Sequence, residues 1–375
     1  MRYAKSLSVA ALWSLLVTDM ALAAAVPTVT VTVCGASSTN ATSKTAVATS
    51  SAKTTTASTT KVSSKAATTS KAATTSSVSS IPAVVAAASA TSAASAPGST
   101  FAPSKTDTFV YDLDNQPIGA PTIKTKSGLT INEHVYIVDM ENSTKEQIAN
   151  YHAQGKKVVC YFSAGTWEPD RNDRSAFSSD CYCGKGVATK SDGKCTGAGS
   201  TDNFLADWGE WWFDIHNPTC LSNVQAGISA RIAAAAAKGC DAVDPDNVDS
   251  YSNKQKYGTT KQDQVNYLLW LSKTARSHGL GIDLKNSGGL ITDDETGEPT
   301  QWANSLVAAF DFNVIEECNH YKECDAYNPF LNAGKPQIQI EYSNSITKCP
   351  TLKAGQKLLV YSGTNLDSSQ ITLSC

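Results

Sequence analysis

The chain lacks the marks of several common chemistries. It has no G-x-G-x-x-G turn and no P-loop, so nothing points to a dinucleotide or a nucleoside triphosphate. It has no G-x-S-x-G elbow, and its five histidines form no H-E-x-x-H pair, which removes the serine esterase and zincin readings. No apolar run reaches the ~20 residues of a membrane span, since Asp19 interrupts the N-terminal one. Acidic residues are missing altogether between Ala24 and Lys105, where six lysines stand alone.

What fills that segment is Ser, Thr, Ala and Val, with too little large apolar surface to offset chain entropy. Residues 24–106 are therefore expected to be a disordered low-complexity stalk. Its Ser/Thr density suits O-glycosylation and Asn40-Ala41-Thr42 is an N-glycosylation acceptor; a bare flexible linker is the alternative. Ahead of it, Arg2 and Lys5 precede an apolar stretch from Val9 to Val17 and the small residues around Ala23. This is the pattern of a secretory signal peptide over residues 1–23, which predicts an extracellular or wall-associated protein without stable membrane insertion. An uncleaved anchor is the other reading. The remaining domain, 107–375, holds 23 of the 31 basic residues and 33 of the 34 acids, a net charge of −10 where the whole chain has −3. Such a domain disfavours nucleic acid and favours a cationic partner.

All eleven cysteines but Cys34 lie at or after Cys160, and in a secreted chain ten such residues read as a disulfide set. Neither Cys181/Cys183 nor Cys318/Cys324 has the C-x-x-C spacing of a zinc or redox site. A small ring closed by Cys318 and Cys324, beside Glu316, is the preferred local pairing; Cys34 is free or pairs between chains. A monomer is otherwise expected.

Six short β-prone runs stop on a carboxylate: HVYIVD at Asp139, WWFD at Asp214, DAVDPD at Asp246, LGID at Asp283, NVIE at Glu316 and QIQIE at Glu341. Strands are predicted near 135–140, 157–163, 211–215, 241–246, 280–285, 311–316, 337–342 and 357–362, with helices at 145–156, 221–239 and 261–278 between them. Eight strands alternating with helices fit an α/β fold, a (β/α)8 TIM-type barrel. Its Cys- and Gly-rich stretch 164–209 becomes an elaborated loop after the second strand, and 107–134 a lid or hairpin before the first. The C-terminal strand ends of such a barrel converge on one mouth, so the acids would meet there, less one or two that cap the helices that follow. Two acids across a scissile bond are what glycoside hydrolysis needs. Trp167, Trp211 and Trp212 are available to stack on sugars, although strand alternation sends one of the last two into the core. DPDNVD is no calcium loop, because its sixth position is Asp249 and its twelfth Gln255. No metal or other cofactor is expected.

The segments KVVCYFSAGTWEPDRND (157–173), WGEWWFDI (208–215), GCDAVDPDNVDSY (239–251), NVIEECNHYKEC (313–324) and QIQIEYS (337–343) resemble glycoside hydrolase family 114, the endo-α-1,4-polygalactosaminidases, from about Phe109 onward. The resemblance implies a barrel enzyme that cleaves α-1,4-linked galactosamine in fungal galactosaminogalactan with retention of configuration. It puts the nucleophile on Asp246 and the acid/base on Glu316. The family has an apolar residue where this chain has Asp244, so the choice between Asp244 and Asp246 stays open. Crowding by other acids is expected to raise the pKa of Glu316. Asp139, Asp214, Asp249 and Glu341 are expected to pair with substrate ammonium groups, Asp244 to join them in binding substrate, and Lys285 to lock a carboxylate or bond a sugar hydroxyl. Two rivals remain, a non-catalytic lectin or adhesin for cationic polysaccharide and a metal-assisted hydrolase or deacetylase.

Overall fold

A computed structural model describes residues 100–114, 120–342 and 346–375; the signal-peptide reading, the stalk up to residue 99 and Cys34 lie outside them. Eight parallel strands stand side by side in sequence order: β1 Phe109–Asp112, β2 Val135–Asp139, β3 Lys157–Ser163, β4 Ala242–Asp246, β5 Gly281–Lys285, β6 Phe312–Glu316, β7 Gln337–Glu341 and β8 Gln356–Tyr361. A last strand, β9 Ile371–Ser374, returns antiparallel along β8. Nearly every residue of β1 to β7 is buried on both faces, as a parallel sheet sandwiched between its own lumen and a helical layer requires. The sheet curls until the Tyr361 hydroxyl at the end of β8 donates to the Tyr111 carbonyl of β1, 2.6 Å away. This is the TIM-type (β/α)8 arrangement.

The helical layer follows from local signals. Helix α1 (Lys145–Ala153) and helix α3 (Lys261–Ser277) each begin at a threonine capping box, Thr144 with Gln147 and Thr260 with Asp263. Helix α2 (Pro218–Lys238) begins with Asn217 as N-cap and proline in its first turn, and ends on left-handed Gly239. It buries Val224, Ile228 and Ile232, four residues apart, against the sheet. Helix α4 (Ala303–Ala309) joins β5 to β6, and only the short α5 (Cys318–Tyr321) and α6 (Asn328–Asn332) join β6 to β7.

Two expectations fail in a paired way. The strand expected near 211–215 is not in the barrel: Glu210–Trp212 pairs antiparallel with Thr166–Trp167 and Phe204–Leu205 in a small sheet of its own. Its Trp211 packs on Trp167 and Phe204 of that loop, an aromatic cluster that supplies burial without the barrel. The missing barrel strand is β1, inside the stretch read as a lid or hairpin. The elaborated loop therefore follows the third strand. A hairpin of Ile123–Lys124 with Thr130–Ile131 does precede β2. Residues 100–106, read as stalk, lie against the barrel: the Arg276 guanidinium donates to the Thr100 hydroxyl at 3.0 Å. The Phe101 carbonyl comes so close to Gly281 that a Cβ there would sit 2.1 Å from it.

The ten described cysteines pair as Cys160–Cys240, Cys181–Cys220, Cys183–Cys195, Cys318–Cys324 and Cys349–Cys375, which includes the expected ring. No helix among the described residues is long and apolar enough to cross a membrane.

Candidate active site

Asp246, Lys285 and Glu316 end three adjacent strands, β4, β5 and β6. Immediately after each, the backbone turns left-handed: Asn247 at φ 58°, Asn286 and Ser287 at 48° and 65°, Glu317 at 55°. Asparagine tolerates that region; glutamate does so at a cost, and such strain persists where the surroundings over-determine the turn. The turn after β4 also requires Gly165, because a Cβ there would fall 1.6 Å from the Asn247 carbonyl oxygen. Three strand-end side chains are thus aimed by three unusual turns.

The Lys285 ammonium, almost wholly buried, donates to Asp246 Oδ1 at 3.0 Å and lies 3.1 Å from Glu316 Oε2. It also sits 5.5 Å from the centre of the Tyr111 ring. The Tyr161 hydroxyl donates to Asp246 Oδ2 at 3.0 Å. Asn286 donates to Glu316 Oε2 at 3.1 Å, while the Tyr342 hydroxyl donates to Oε1. Burial by itself would raise the Glu316 carboxyl, but the Lys285 charge and these hydrogen bonds outweigh it and hold the group below its ordinary value. The expectation of a raised Glu316 is thereby corrected. The raised acids are its neighbours. Burial, reinforced by Asp246 and Glu316, pushes Asp249 up to about 6; burial, reinforced by Glu168, pushes Glu210 up to about 8.

Above this floor lies a cleft of about 820 Å³ lined in part by Asp207, Asp249, Asp294, Glu316, Glu317 and Glu323, with no lysine or arginine among the described residues of its wall. An adjoining recess of about 180 Å³ exposes Asp246, Glu210, Tyr161 and Trp212. The two exposed large hydrophobic residues among those described, Trp208 at 54% and Tyr321 at 63%, both stand on the cleft wall. Exposed aromatics gathered at one cavity are what a stacking surface for sugar rings needs.

Of the residues singled out from sequence, the structure gathers Asp246, Asp249, Lys285 and Glu316 at this cleft, with Asp244 buried beneath it. Five others are elsewhere. Asp139 is covered by Arg171, whose guanidinium donates at 2.7 Å within a buried chain that continues through Glu168 to Arg231. Asp214 accepts the backbone N–H groups of His216 and Asn217 at 3.0 and 2.9 Å, so it turns the chain into α2 and lines a separate cavity. Glu341 accepts the Asn319 N–H at 2.8 Å in the first turn of α5. Register explains its absence from the mouth: Glu316 pairs with Ile340, so the next residue faces out of the lumen. Trp167 is buried, stacked on Tyr182 with centroids 4.4 Å apart, and Trp211 is buried beside it; Trp212 is the one facing the recess. Sequence reading missed Tyr161, Asn286, Glu210, Trp208, Tyr321 and Tyr342. Tyr342 follows directly on the QIQIE run and Tyr161 shares a face with Asp244, but no spacing rule marks either.

A family model described as glycoside-hydrolase family GH114 matches residues 89–368. The chain belongs to that family. It is a glycoside hydrolase. Among solved structures it is similar to Ega3 of Aspergillus fumigatus in complex with galactosamine, at 25% identity and a TM-score of 0.55, over 74% of this chain and 98% of that one. It also matches the glycoside hydrolase domain of PelA from Pseudomonas aeruginosa, at 12% identity and a TM-score of 0.41, over 62% and 83% of the two chains. No curated protein matches.

Proposed function

We propose that this GH114 member is a secreted endo-acting hydrolase of α-1,4-linked galactosamine runs in galactosaminogalactan, with Asp246 as nucleophile and Glu316 as acid/base. The observation that carries the reading is the pairing of Asp246 and Glu316 through one buried ammonium at the floor of a cleft walled by acids, with no basic residue among the described ones of its wall. A deacetylated galactosamine polymer bears one ammonium per sugar, and such a wall attracts it while leaving a neutral N-acetyl polymer without partners. The relative solved with galactosamine supports the same substrate class. The open cleft, with aromatics on its wall, suits a chain lying through it, as endo cleavage requires.

Asp246 is the better nucleophile than Asp244 because it opens into the recess, whereas Asp244 is wholly buried under it. Ionised Asp246 attacks the anomeric carbon as Glu316 protonates the departing oxygen, and Glu316 then deprotonates the water that hydrolyses the glycosyl ester. Because Lys285 reaches one oxygen at 3.0 Å and the other at 3.1 Å, those oxygens are at most about 6 Å apart, which supports retention (about 5–5.5 Å) over inversion (about 6.5–9.5 Å). The low-lying Glu316 must carry a proton in the first step, so an acidic optimum follows. The five disulfide pairs suit secretion, with residues 1–23 as a removed signal and the Ser/Thr-rich segment as a stalk ahead of the catalytic domain.

The test is incubation of the protein with deacetylated and fully acetylated polymer, following chain length. Shortening of the deacetylated polymer, lost in Asp246→Asn and Glu316→Gln, is the expected result. Tight binding with no shortening by the wild type would instead identify a lectin.

A further inference from the structure

Beneath the cleft floor the barrel holds two carboxyl groups that this reaction does not use. Asp244 and Asp283 are fully buried on β4 and β5. The register sets Val243 beside Ile282, so the next residues stand side by side, on the same face as Asp246 and Lys285. Asp244 Oδ2 accepts from the Tyr111 hydroxyl. No hydrogen-bond donor among the described residues reaches its Oδ1 or either oxygen of Asp283, so three buried carboxyl oxygens on two adjacent strand positions lack a proton to accept. Two buried carboxylates on neighbouring strand positions repel, whereas a carboxylic acid donates its proton to a carboxylate beside it.

We infer that Asp244 and Asp283 share one proton and act as a single anion beneath Lys285, a positioning pair that holds the ammonium between the catalytic acids. The consequences rest on the reading of Asp246 and Glu316 given above. Facing this pair are Tyr111 from β1, Tyr161 from β3, Asp246, Lys285 and Glu316; Tyr342 closes the β7 side through Glu316. The remaining strands contribute no free charge there, because Asp139 of β2 is held by Arg171, Glu341 faces outward, and Tyr361 of β8 bonds the Tyr111 carbonyl. One ammonium thus answers three negative charges on and beneath the floor, Asp246, Glu316 and the pair; Asp249, on the loop after β4, adds a fourth above about pH 6 and is the same in every variant. A third anion weakens the hold of Lys285 on Glu316, and so keeps Glu316 able to take up the proton its acid step needs. Burial and the proximity of Asp244 both favour protonated Asp283, which agrees with the geometry.

Three variants test this. Asp244→Asn and Asp283→Asn each replace one carboxyl by an amide that donates the same hydrogen bond, so the pair keeps one negative charge without a proton to share. The double variant removes the charge. Infrared difference spectra of wild type against each single variant should show loss of the carbonyl stretch of a buried carboxylic acid; bands of ionised carboxylate alone would overturn the inference. That readout needs no turnover, so it stands even if the polymer proves not to be the substrate. On deacetylated polymer, both single variants should keep kcat/KM within about threefold of wild type with the alkaline limb of the pH profile unmoved, while the double variant moves that limb down by about one pH unit and loses at least about tenfold in kcat. A single variant that shifts as far as the double, or a double that does not shift, would refute the shared charge. Thermal melts check folding; should the double variant not fold, the single variants and the infrared readout still decide.

Discussion

Glu210 makes the strongest stability prediction, because its environment opposes its charge. It lies on the small loop sheet at the edge of the recess, where its Oε2 accepts from the Thr166 hydroxyl at 2.5 Å. Burial, and after it the charge of Glu168, lift its carboxyl from the ordinary 4.5 to about 8. The sign follows directly: the folded protein holds this proton more tightly than the unfolded chain. Its stabilising contribution is complete below about pH 4.5 and is lost as the pH rises towards about 8. At about 1.4 kcal/mol per pH unit, the whole window is worth at most on the order of 5 kcal/mol, and partial solvent access with charge sharing by Glu168 reduces that to a few. Glu210→Gln keeps the shape and the hydrogen bond and removes the titration. Denaturant unfolding with disulfides intact should find the two proteins close in stability at pH 5 and the variant more stable by about 2–4 kcal/mol at pH 8. Titrating groups that do not interact with Glu210 are common to both proteins and cancel in the difference; Glu168, which does interact, is part of the reduction already allowed for. A gap that is the same at both pH values would refute the reasoning.

Three further outcomes are expected. Lys285→Met leaves Asp246 and Glu316 facing each other without a counter-ion; unfolding free energy should fall by about 3–5 kcal/mol and turnover by on the order of 10³-fold, read by denaturation and by reducing-end release. Trp208→Ala and Tyr321→Ala each remove a stacking face without touching the acids, and should raise KM for long polymer by about 3- to 10-fold with kcat nearly constant. Loss of the Cys160–Cys240 bridge, whose partners are 80 residues apart, should cost about 4–5 kcal/mol, against about 2 for the Cys318–Cys324 ring of separation 6, measured by unfolding of paired Cys→Ala variants.

What could be read along the chain was whatever repeats locally. Seven of the eight barrel strands show as apolar runs, and α2 and α3 show as periodic stripes, because backbone pairing and burial on both faces act through residues close in sequence. The eighth strand was lost twice over. Phe109–Asp112 is only four residues long, too short to stand out, and the tryptophan-rich run at 210–212 has the same composition as a barrel strand. Two of the six acid-ended runs, those at Asp246 and Glu316, end at the cleft, and the combination of motifs named the family that the match over 89–368 supports.

Sequence by itself therefore determined the alternation of strand and helix, the acidic character of the folded domain, the family, and the location of Asp246, Lys285 and Glu316 at strand ends. Which acids meet was decided only in three dimensions. A carboxylate at a strand end faces the lumen or the helices according to one residue of register, and so Glu316 entered the mouth while Glu341 turned to α5. Asp139 was taken out of use by Arg171, a residue 32 positions away that arrives through the loop after β3. Charge state is likewise a property of the assembled neighbours: the same residue type sits low at Glu316 beside an ammonium and high at Glu210 beside another buried acid. Distance through space sets both outcomes, and separation along the chain does not encode it.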